Sequence, residues 1–502
     1  MQKWTRVMYQ PNIPLGENGE KVTACKKHIA LSKEAAKEGM VLLKNDGGLL
    51  PLAKGSKVAL FGKASFDYVR GGGGSGEVTV SYERNLYEGL VLLKDKVSLF
   101  EELSAFYRDN VKELYQKGYV PGMTIEPEVP MELLKKARAY TDTAIITISR
   151  FSSEGWDRKS IADDEDSTIG GAMKETERRS AEIFEDGDFC LTCAEKAMVD
   201  AVTTNFDKVI VVMNVGGMVD SCWFHDDAKV QSVLMAWQGG IEGGLAAAEL
   251  LMGDGNPSGK LVDTFARELE DYPSTESFHE SKQFVDYVED IYVGYRYFET
   301  IPDADKKVNY PFGFGLSYTD FSLTAGEAYE KNGGIYVPVV VTNIGKRAGK
   351  QVVQAYFSAP QGKLGKPSKQ LAAFQKTRLL QAGESQSIVL SWRVEDMASY
   401  DDLGKIKESA YILEKGTYCF YVGVSVRDVV ELSYKYEIQE DIVVKQLSRK
   451  CAPTSLKKRM LADGSFEELP TTSPIDTDAN ELVPMTVEEA DGFMPMIRAG
   501  KR

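Results

Sequence analysis

Histidine and cysteine are scarce in this sequence, which contains three of the former and six of the latter. His28, His225 and His279 fall in no recognisable nucleophile or metal-binding pattern, so a hydrolase triad and a metal centre are both disfavoured. The cysteines are spread over 502 residues and predict no disulfide framework, which fits a reducing compartment. The lone CxxC pair, Cys190 and Cys193, has no second pair and no nearby histidine, so we expect no zinc or redox site there.

Long apolar runs and an excess of positive charge are also missing. No apolar run approaches the roughly 18 residues that a membrane-spanning helix needs. Residues 1–7 lack the apolar core and cleavage site of a secretory signal, so we expect a cytoplasmic protein. The formal net charge is −15, whereas nucleic acids and anionic membranes are bound through clustered lysine and arginine. We therefore expect no nucleic acid and no membrane as partners, and favour neutral small molecules.

The apolar patterns that are present predict two kinds of domain. A chain of this length is too long for one hydrophobic core. Up to about residue 252, strand-like runs alternate with helical patterns, which predicts an α/β sandwich with a mostly parallel sheet and helices on both faces. The predicted strands are 57–62, 143–148, 208–214 and 233–236, and the predicted helices are 32–45, 134–140, 194–203 and 243–252. From about residue 319, short strand-like segments separated by turn residues predict an all-β antiparallel sandwich.

The strongest functional signal follows the predicted strand 143–148. There the apolar run stops and Ser-Ser-Glu-Gly-Trp-Asp-Arg begins, so Glu154 lies on a loop at the carboxyl end of a buried parallel strand. Open α/β sheets keep their active sites at such ends. Gly155 lets the loop bend beside Glu154, whose carboxylic acid is suited to donate a proton. From these residues alone, Glu154 could equally be a solvated loop glutamate.

This segment resembles the acid/base segment of family 3 glycoside hydrolases, the β-glucosidase family, in which the glutamate of Ser-Gly-Glu-Gly-aromatic-Asp-Arg protonates the leaving sugar. Other segments are similar to the same family in the same order, and together they cover roughly residues 30–440. They are 38–46, 71–76, 237–244, 253–261, 292–298 and 310–319.

The resemblance implies a domain organisation. It comprises an N-terminal arm (1–30), the family's C-terminal-type α/β sandwich (31–275), a bridging segment (276–318), an immunoglobulin-like, fibronectin type III-like domain (319–442) and a polar tail or linker (443–502). The family's (β/α)₈ barrel, which carries the nucleophilic aspartate of a Ser-Asp-Trp motif, has no counterpart here, and none of the five tryptophans follows an aspartate. The chain is therefore similar to the first half of a permuted subset of the family, in which these two domains precede the barrel.

Two further residues are candidate sugar contacts. The resemblance places Ser75, in the glycine loop 71–76, close to the sugar, while a flexible linker is the alternative. This loop contains G-x-G-x-x-G, but eight residues separate Gly62 from Gly71, so the context of a dinucleotide fingerprint fails. Trp156 could form an apolar platform for a sugar ring or pack at the domain edge.

The function that the resemblance implies is hydrolysis of O-glycosyl bonds by a retaining β-glucosidase in carbohydrate metabolism. Glu154 is then the acid/base, the substrates are small β-glycosides or oligosaccharides, and no metal or organic cofactor is implied. The nucleophile is expected on a barrel-bearing polypeptide, and association into a homo-oligomer is the other expected partnership. The isolated chain is expected to be incomplete, with negligible turnover. The alternatives are a non-catalytic carbohydrate-binding or scaffolding protein left after barrel loss, and a truncated gene product.

Overall fold

In the computed structural model, the residues that can be described are 24–73, 76–152, 179–278, 284–450, 452 and 454–471. They form an α/β domain, followed by an all-β domain. Buried apolar side chains pack on both faces of the first domain's sheet and in the interior of the second. Both predicted fold classes are confirmed.

The α/β domain is built on one six-stranded sheet. Its strands are β1 (Val41–Asn45), β2 (Ser56–Phe61), β3 (Val97–Leu99), β4 (Thr143–Ser149), β5 (Lys208–Asn214) and β6 (Val230–Met235). The strand order is β1-β6-β5-β4-β2-β3, and the pair of β1 with β6 is antiparallel whereas the other pairs are parallel. Every residue of β4 is buried, which explains why residues 143–148 form a continuous apolar and β-branched run.

Helices cover both faces of this sheet. They are α1 (Lys26–Gly39), α2 (Leu86–Leu92), α3 (Glu101–Gln116), α4 (Met131–Tyr140), α5 (Cys193–Asn205), α6 (Cys222–His225) and α7 (Gly243–Leu251). Side chains of α3, α4 and α5 pack on one face, and those of α2 and α7 on the other. Within the ranges given above, no helix combines the length and the apolar character that crossing a bilayer requires.

One predicted helix ends earlier than the sequence pattern indicates. The predicted helix 32–45 stops at Gly39, and residues 41–45 instead form β1, at one edge of the sheet. Met40, Val41, Leu42 and Leu43 are at most 2% exposed. Four consecutive buried residues suit a strand with both faces covered, whereas a helix lying on the sheet would turn some of them toward solvent.

The remaining elements form a bridging segment and an antiparallel β-sandwich. They are β7 (Phe265–Ala266), α8 (Thr275–Phe278), α9 (Tyr295–Phe298), β8 (Val308–Tyr310), β9 (Phe321–Ala325), β10 (Tyr329–Lys331), β11 (Gly334–Asn343), β12 (Val352–Ser358), β13 (Gln370–Lys376), β14 (Ser385–Arg393), β15 (Ser399–Asp401), β16 (Ala410–Leu413), β17 (Gly416–Gly423), β18 (Val429–Ile438), β19 (Ile442–Gln446), β20 (Lys458–Met460) and β21 (Phe466–Glu468). The two sheets of the sandwich have the orders β10-β11-β14, with β9 also on β11, and β13-β12-β17-β18. Buried and more exposed residues alternate along β11, as expected for a strand with one face in the core.

A charged contact joins the two domains. Glu38 at the end of α1 forms ion pairs with Lys350 and Lys376 of the β-sandwich. The Lys376 ammonium also donates to the Glu38 carbonyl oxygen at 3.0 Å. Burial would raise the pKa of the Glu38 carboxyl, but the two lysines outweigh it and lower that pKa. The contact therefore links the C-terminal end of α1 to the second domain.

Candidate functional site

The loops that follow β2, β4, β5 and β6 meet at the carboxyl edge of the parallel strands. In the register of β4 and β5, Ser149 lies opposite Asn214, so both strands end at the same level. The Arg150 amide continues this pairing by donating to the Asn214 carbonyl oxygen at 3.1 Å. The chain leaving β4 therefore enters the site beside the chain leaving β5, where an α/β sheet places its functional groups.

The Asn214 side chain connects three of these loops. Its Oδ1 accepts from the Val69 amide at 2.6 Å, and its Nδ2 donates to the Val69 and Trp237 carbonyl oxygens at 2.9 and 2.6 Å. Asn214 is 1% exposed, so each of these polar groups would be left unpaired in the interior without it. The amide thereby fixes the start of the glycine loop after β2 and the turn after β6 relative to β5.

Arg150 anchors the chain that leaves β4. Its guanidinium is 1% exposed and forms a bidentate ion pair with Glu195, with N–O distances of 2.8 and 2.7 Å. It also donates to the carbonyl oxygens of Ser149, Asp188 and Cys190, each at 2.8 Å. All five N–H groups of the guanidinium are thus occupied. The chain at Arg150, four residues before Glu154 in the sequence, is therefore fixed to the N-terminus of α5.

The Glu195 carboxylate binds both the Arg150 guanidinium and the N-terminus of α5. Besides binding Arg150, it completes the capping box of α5, because its carboxylate accepts from the Thr192 amide and its own amide donates to the Thr192 hydroxyl. Burial would raise the pKa of the Glu195 carboxyl, but the adjacent guanidinium outweighs that effect and lowers the pKa. A charged pair in the interior is thereby fully compensated.

A second buried polar cluster lies at the end of β2. Lys63 donates to Asp67 and to the Gly122 carbonyl oxygen, both at 3.2 Å, and its amide donates to Glu126 at 2.8 Å. Asp67 also accepts from the Tyr115 hydroxyl at 2.7 Å. Burial raises the pKa of Glu126 to about 8, and the nearby Glu195 charge adds to this effect. Glu126 therefore keeps its proton to a higher pH than an exposed glutamate does.

The three residues predicted to act on a sugar all lie outside the described part of the chain. The described residues end at Ser152, two residues before Glu154 and four before Trp156, and residues 74 and 75 of the glycine loop are not among them. A Cβ atom built on Gly72 would lie 3.3 Å from the Ser152 carbonyl oxygen. The described stems of the two predicted segments are therefore neighbours, whereas the roles of Glu154, Trp156 and Ser75 stay predictions.

Two cavities open beside the chain that leaves β5. One, of about 290 Å³, is lined by Ser152, Gly216 and Met218 and by side chains of the bridging segment around α8. The other, of about 340 Å³, is lined by Gly216, Met218, Trp237, Gln238 and Asp263, among others. The volumes lie at or just below the lower end of the range of about 300–1,000 Å³ that is typical of small-molecule sites. The carboxyl edge therefore offers room for a small ligand.

The described residues bring together no group of three or more histidine, cysteine, aspartate or glutamate side chains that could hold a metal ion. Cys190 and Cys193 are free thiols in this structure, and both are exposed. Burial, with nearby acidic side chains, raises the pKa of the Cys190 thiol, which disfavours the reactive thiolate.

Sequence reasoning missed several residues of this site. Asn214 ends the predicted strand 208–214 and Arg150 lies two residues after the predicted strand 143–148, and a polar residue at that point is a usable signal. Trp237 follows β6 in the same way. Lys63 carries the same signal, because it directly follows the predicted strand 57–62. Glu126 carries none, because it approaches Lys63 only after the chain between them has folded.

Comparison with known proteins identifies both domains. A family model described as the glycosyl hydrolase family 3 C-terminal domain matches residues 40–318, and a fibronectin type III-like domain model matches residues 351–426. These matches confirm the resemblance predicted from the sequence, whereas the exact boundaries at residues 275, 318 and 442 stay predictions.

Two relatives match along nearly the whole chain. The chain is 59% identical to Beta-glucosidase A of Butyrivibrio fibrisolvens, with 95% of this chain and 59% of the relative covered. It is 36% identical to a Beta-glucosidase of Ruminococcus albus, with 92% and 46% covered. The chain thus spans about half to three fifths of the length of these relatives.

Solved structures match the fold. A β-glucosidase from Paenibacillus barengoltzii superposes with a TM-score of 0.78 at 37% identity, covering 91% of this chain and 49% of that one. Beta-glucosidase 3B from Thermotoga neapolitana, in complex with α-D-glucose, gives a TM-score of 0.72 at 34% identity, with 85% and 56% covered. The family model alone matches more than half of the 502 residues. This chain belongs to glycosyl hydrolase family 3.

Proposed function

We propose that this chain is the acid/base-bearing part of a retaining β-glucosidase, and that Glu154 is the group that donates the proton. The observation that carries the proposal is the position of Ser152 at the carboxyl edge of the sheet, two residues before Glu154, in a chain 59% identical to a β-glucosidase. The buried ion pair of Arg150 with Glu195, which fixes the chain before Glu154, supports it, because general acid catalysis requires a carboxyl held within hydrogen-bond reach of the departing oxygen.

The proposed reaction is a double displacement. Glu154 protonates the glycosidic oxygen while a second carboxylate attacks the anomeric carbon, and Glu154 then takes a proton from the water that releases the sugar. Such pairs of carboxyl groups stand about 5–5.5 Å apart. No tryptophan in the sequence follows an aspartate, so we propose that the nucleophile lies on a barrel outside these 502 residues.

The proposed substrates are small β-glycosides or oligosaccharides. Two relatives share the name β-glucosidase, and a solved structure of similar fold binds α-D-glucose. Ser75 and Trp156 are proposed as sugar contacts, the first through its hydroxyl and the second through its ring face. The net charge of −15 is compatible with neutral substrates of this kind.

An activity assay with three preparations tests the proposal. The chain alone, the chain with a polypeptide that carries a family 3 barrel, and the same mixture with Glu154→Ala are each given an aryl β-glucoside. We expect turnover only in the second, with a loss of about 10²–10⁴-fold in the variant. Glu185→Ala serves as the matched control, because Glu185 is an exposed glutamate in the described chain before α5.

Each alternative predicts a different pattern. Full activity of the chain alone would refute the missing nucleophile. Activity of the mixture that survives Glu154→Ala unchanged would remove Glu154 from the mechanism. Sugar binding without hydrolysis in every preparation would favour a non-catalytic carbohydrate-binding protein instead.

A further inference from the structure

The 340 Å³ cavity at the end of β6 combines side chains that the reaction above does not use. It is lined by Trp237 and Gln238 after β6 and by Asp263 of the segment before β7, with Val262 and Phe265 beside them. We call it the Trp237 cavity. Every residue that lines it is among the described ones, and they include one acid and no lysine or arginine. A neutral ligand with hydroxyl groups therefore fits its chemistry better than an anion.

Trp237 is held in a backbone conformation that large residues avoid. Its φ angle is +54°, in the left-handed region. The buried Asn214 side chain fixes it there by donating to its carbonyl oxygen at 2.6 Å. The indole packs beside Phe265, with 6.4 Å between ring centroids, and is only partly buried. Strain of this kind at a large residue is concentrated at functional sites, since it must be maintained by the surrounding structure.

Asp263 supplies an acceptor that the described structure leaves unengaged. No ion pair or hydrogen bond joins its carboxylate to any of the described residues. The residue as a whole is exposed at the mouth of the cavity, yet partial burial raises the pKa of its carboxyl. An ionised carboxylate can accept from two neighbouring hydroxyl groups at once.

Gln238 provides donors and a further acceptor next to the indole. Its one hydrogen bond within the described ranges is a long contact of 3.4 Å from Nε2 to the Arg150 carbonyl oxygen. A carboxamide carries two N–H donors and an acceptor oxygen, so capacity remains for a ligand. The same contact links the Trp237 cavity to the stem that leads to Glu154.

We propose that the Trp237 cavity binds one ring of a neutral sugar, whose C–H face stacks on Trp237 while its hydroxyl groups bond to Asp263 and Gln238. The choice of a sugar rests on the function proposed above. Aromatic rings that are partly exposed to solvent offer an apolar face of suitable size for a sugar ring. A cavity volume of about 340 Å³ is near the lower limit for small-molecule pockets, which suits a single ring. The site lies on this chain alone, so it requires no barrel.

Fluorine NMR of the chain labelled with 5-fluorotryptophan tests this proposal. Methyl β-glucoside is titrated, and the tryptophan signals are assigned by single Trp→Phe substitutions. We expect a saturable shift of the Trp237 signal and none of Trp392, which lies in the core of the second domain. Asp263→Asn should weaken binding about tenfold, because it replaces a charged acceptor by a neutral one. Asp109→Asn, at an exposed aspartate of α3, should leave it unchanged.

Three results would overturn the proposal. The first is no saturable shift with methyl β-glucoside or cellobiose. The second is binding that is equally tight in Asp263→Asn and Gln238→Ala. The third is a shift of the Trp237 signal by the barrel polypeptide without sugar, accompanied by loss of sugar binding, which would make the cavity a contact between domains.

The same titration in Glu154→Gln, together with a hydrolysis assay of that variant combined with the barrel polypeptide, separates the two proposals. Sugar binding that persists while hydrolysis is lost supports the cavity and the acid/base role independently. Hydrolysis without any effect at the Trp237 signal refutes the cavity and leaves the acid/base proposal standing.

Discussion

Replacing Glu195 by alanine should destabilise the α/β domain strongly. The substitution leaves the Arg150 guanidinium charged and uncompensated in the interior, where it is 1% exposed. It also removes the carboxylate that caps α5. Both losses act on the stem before Glu154, so stability and the geometry of the candidate site are coupled at this pair.

The magnitude follows from the burial of both partners. The side chains of Arg150 and Glu195 are 1% and 2% exposed, and removing one member of such a pair costs about 3–5 kcal/mol. Natural domains are stable by about 5–15 kcal/mol, so the loss is a large part of the total. It corresponds to a fall of about 1–2 M in the urea midpoint for a domain of this size.

Urea unfolding of the α/β domain, followed by the fluorescence of its tryptophans, measures this loss. Glu102→Ala is the matched control, because Glu102 and Lys136 form an exposed pair with side chains 54% and 49% exposed. We expect a change of at most about 1 kcal/mol there. The double variant Arg150→Met with Glu195→Ala should recover part of the loss, since no charge is then left buried without its partner.

The pH dependence has a definite sign. The pKa of Glu195 is lower in the folded protein than its ordinary value, so its stabilisation is complete above the unfolded pKa of about 4.3 and is lost as the pH falls through the folded pKa. The difference between wild type and variant should therefore shrink in acid. A loss of less than about 1 kcal/mol of unfolding free energy in Glu195→Ala at pH 7, equal to that of Glu102→Ala, would refute the stabilising role of the Arg150–Glu195 ion pair.

Two further substitutions test the buried groups of the site. Because the pKa of Glu126 is about 8 in the folded protein, folding retains its proton. The stability of the wild type should therefore fall by up to about 1.4 kcal/mol per pH unit as the pH rises from the unfolded to the folded pKa, and Glu126→Gln should remove this fall. Urea unfolding at several pH values checks this, with Glu128→Gln, at an exposed glutamate, as control. Asn214→Asp, which places a carboxylate oxygen against two backbone carbonyl oxygens, should cost about 2 kcal/mol or more. Thermal unfolding checks it, the exposed Asn205→Asp should change little, and an unaltered midpoint in Asn214→Asp would contradict the connecting role of that side chain.

The central strands could be predicted from the sequence because their middle residues are buried on both faces. Residues 144–148 and 209–213 are apolar or β-branched throughout, and a strand covered on both faces accounts for such runs at that length. The end of α1 was predicted wrongly because a short buried apolar run fits either a helix or a strand. Residues 40–43 also satisfy a helical spacing when they are taken together with the preceding alanines, and pairing with β6 decides the outcome.

Several features of the site depend on contacts that no local pattern contains. Arg150 and Glu195 are 45 residues apart in the chain, so the burial of the pair follows from the fold and from no motif. The left-handed conformation of Trp237 is likewise set by Asn214, through a contact across 23 residues. By contrast, Glu154 was found by its neighbours in the sequence, and it lies outside the described residues.

The loss of kcat/KM in Glu154→Gln, compared between substrates with different leaving groups, tests the central claim most directly. The variant is assayed in the chain combined with a barrel polypeptide, and kcat/KM is compared for dinitrophenyl β-glucoside and methyl β-glucoside. An acidic leaving group needs no proton, so we predict a small loss with the former and a loss of about 10²–10⁴-fold with the latter. Equal losses on both substrates would show that Glu154 does not protonate the departing oxygen.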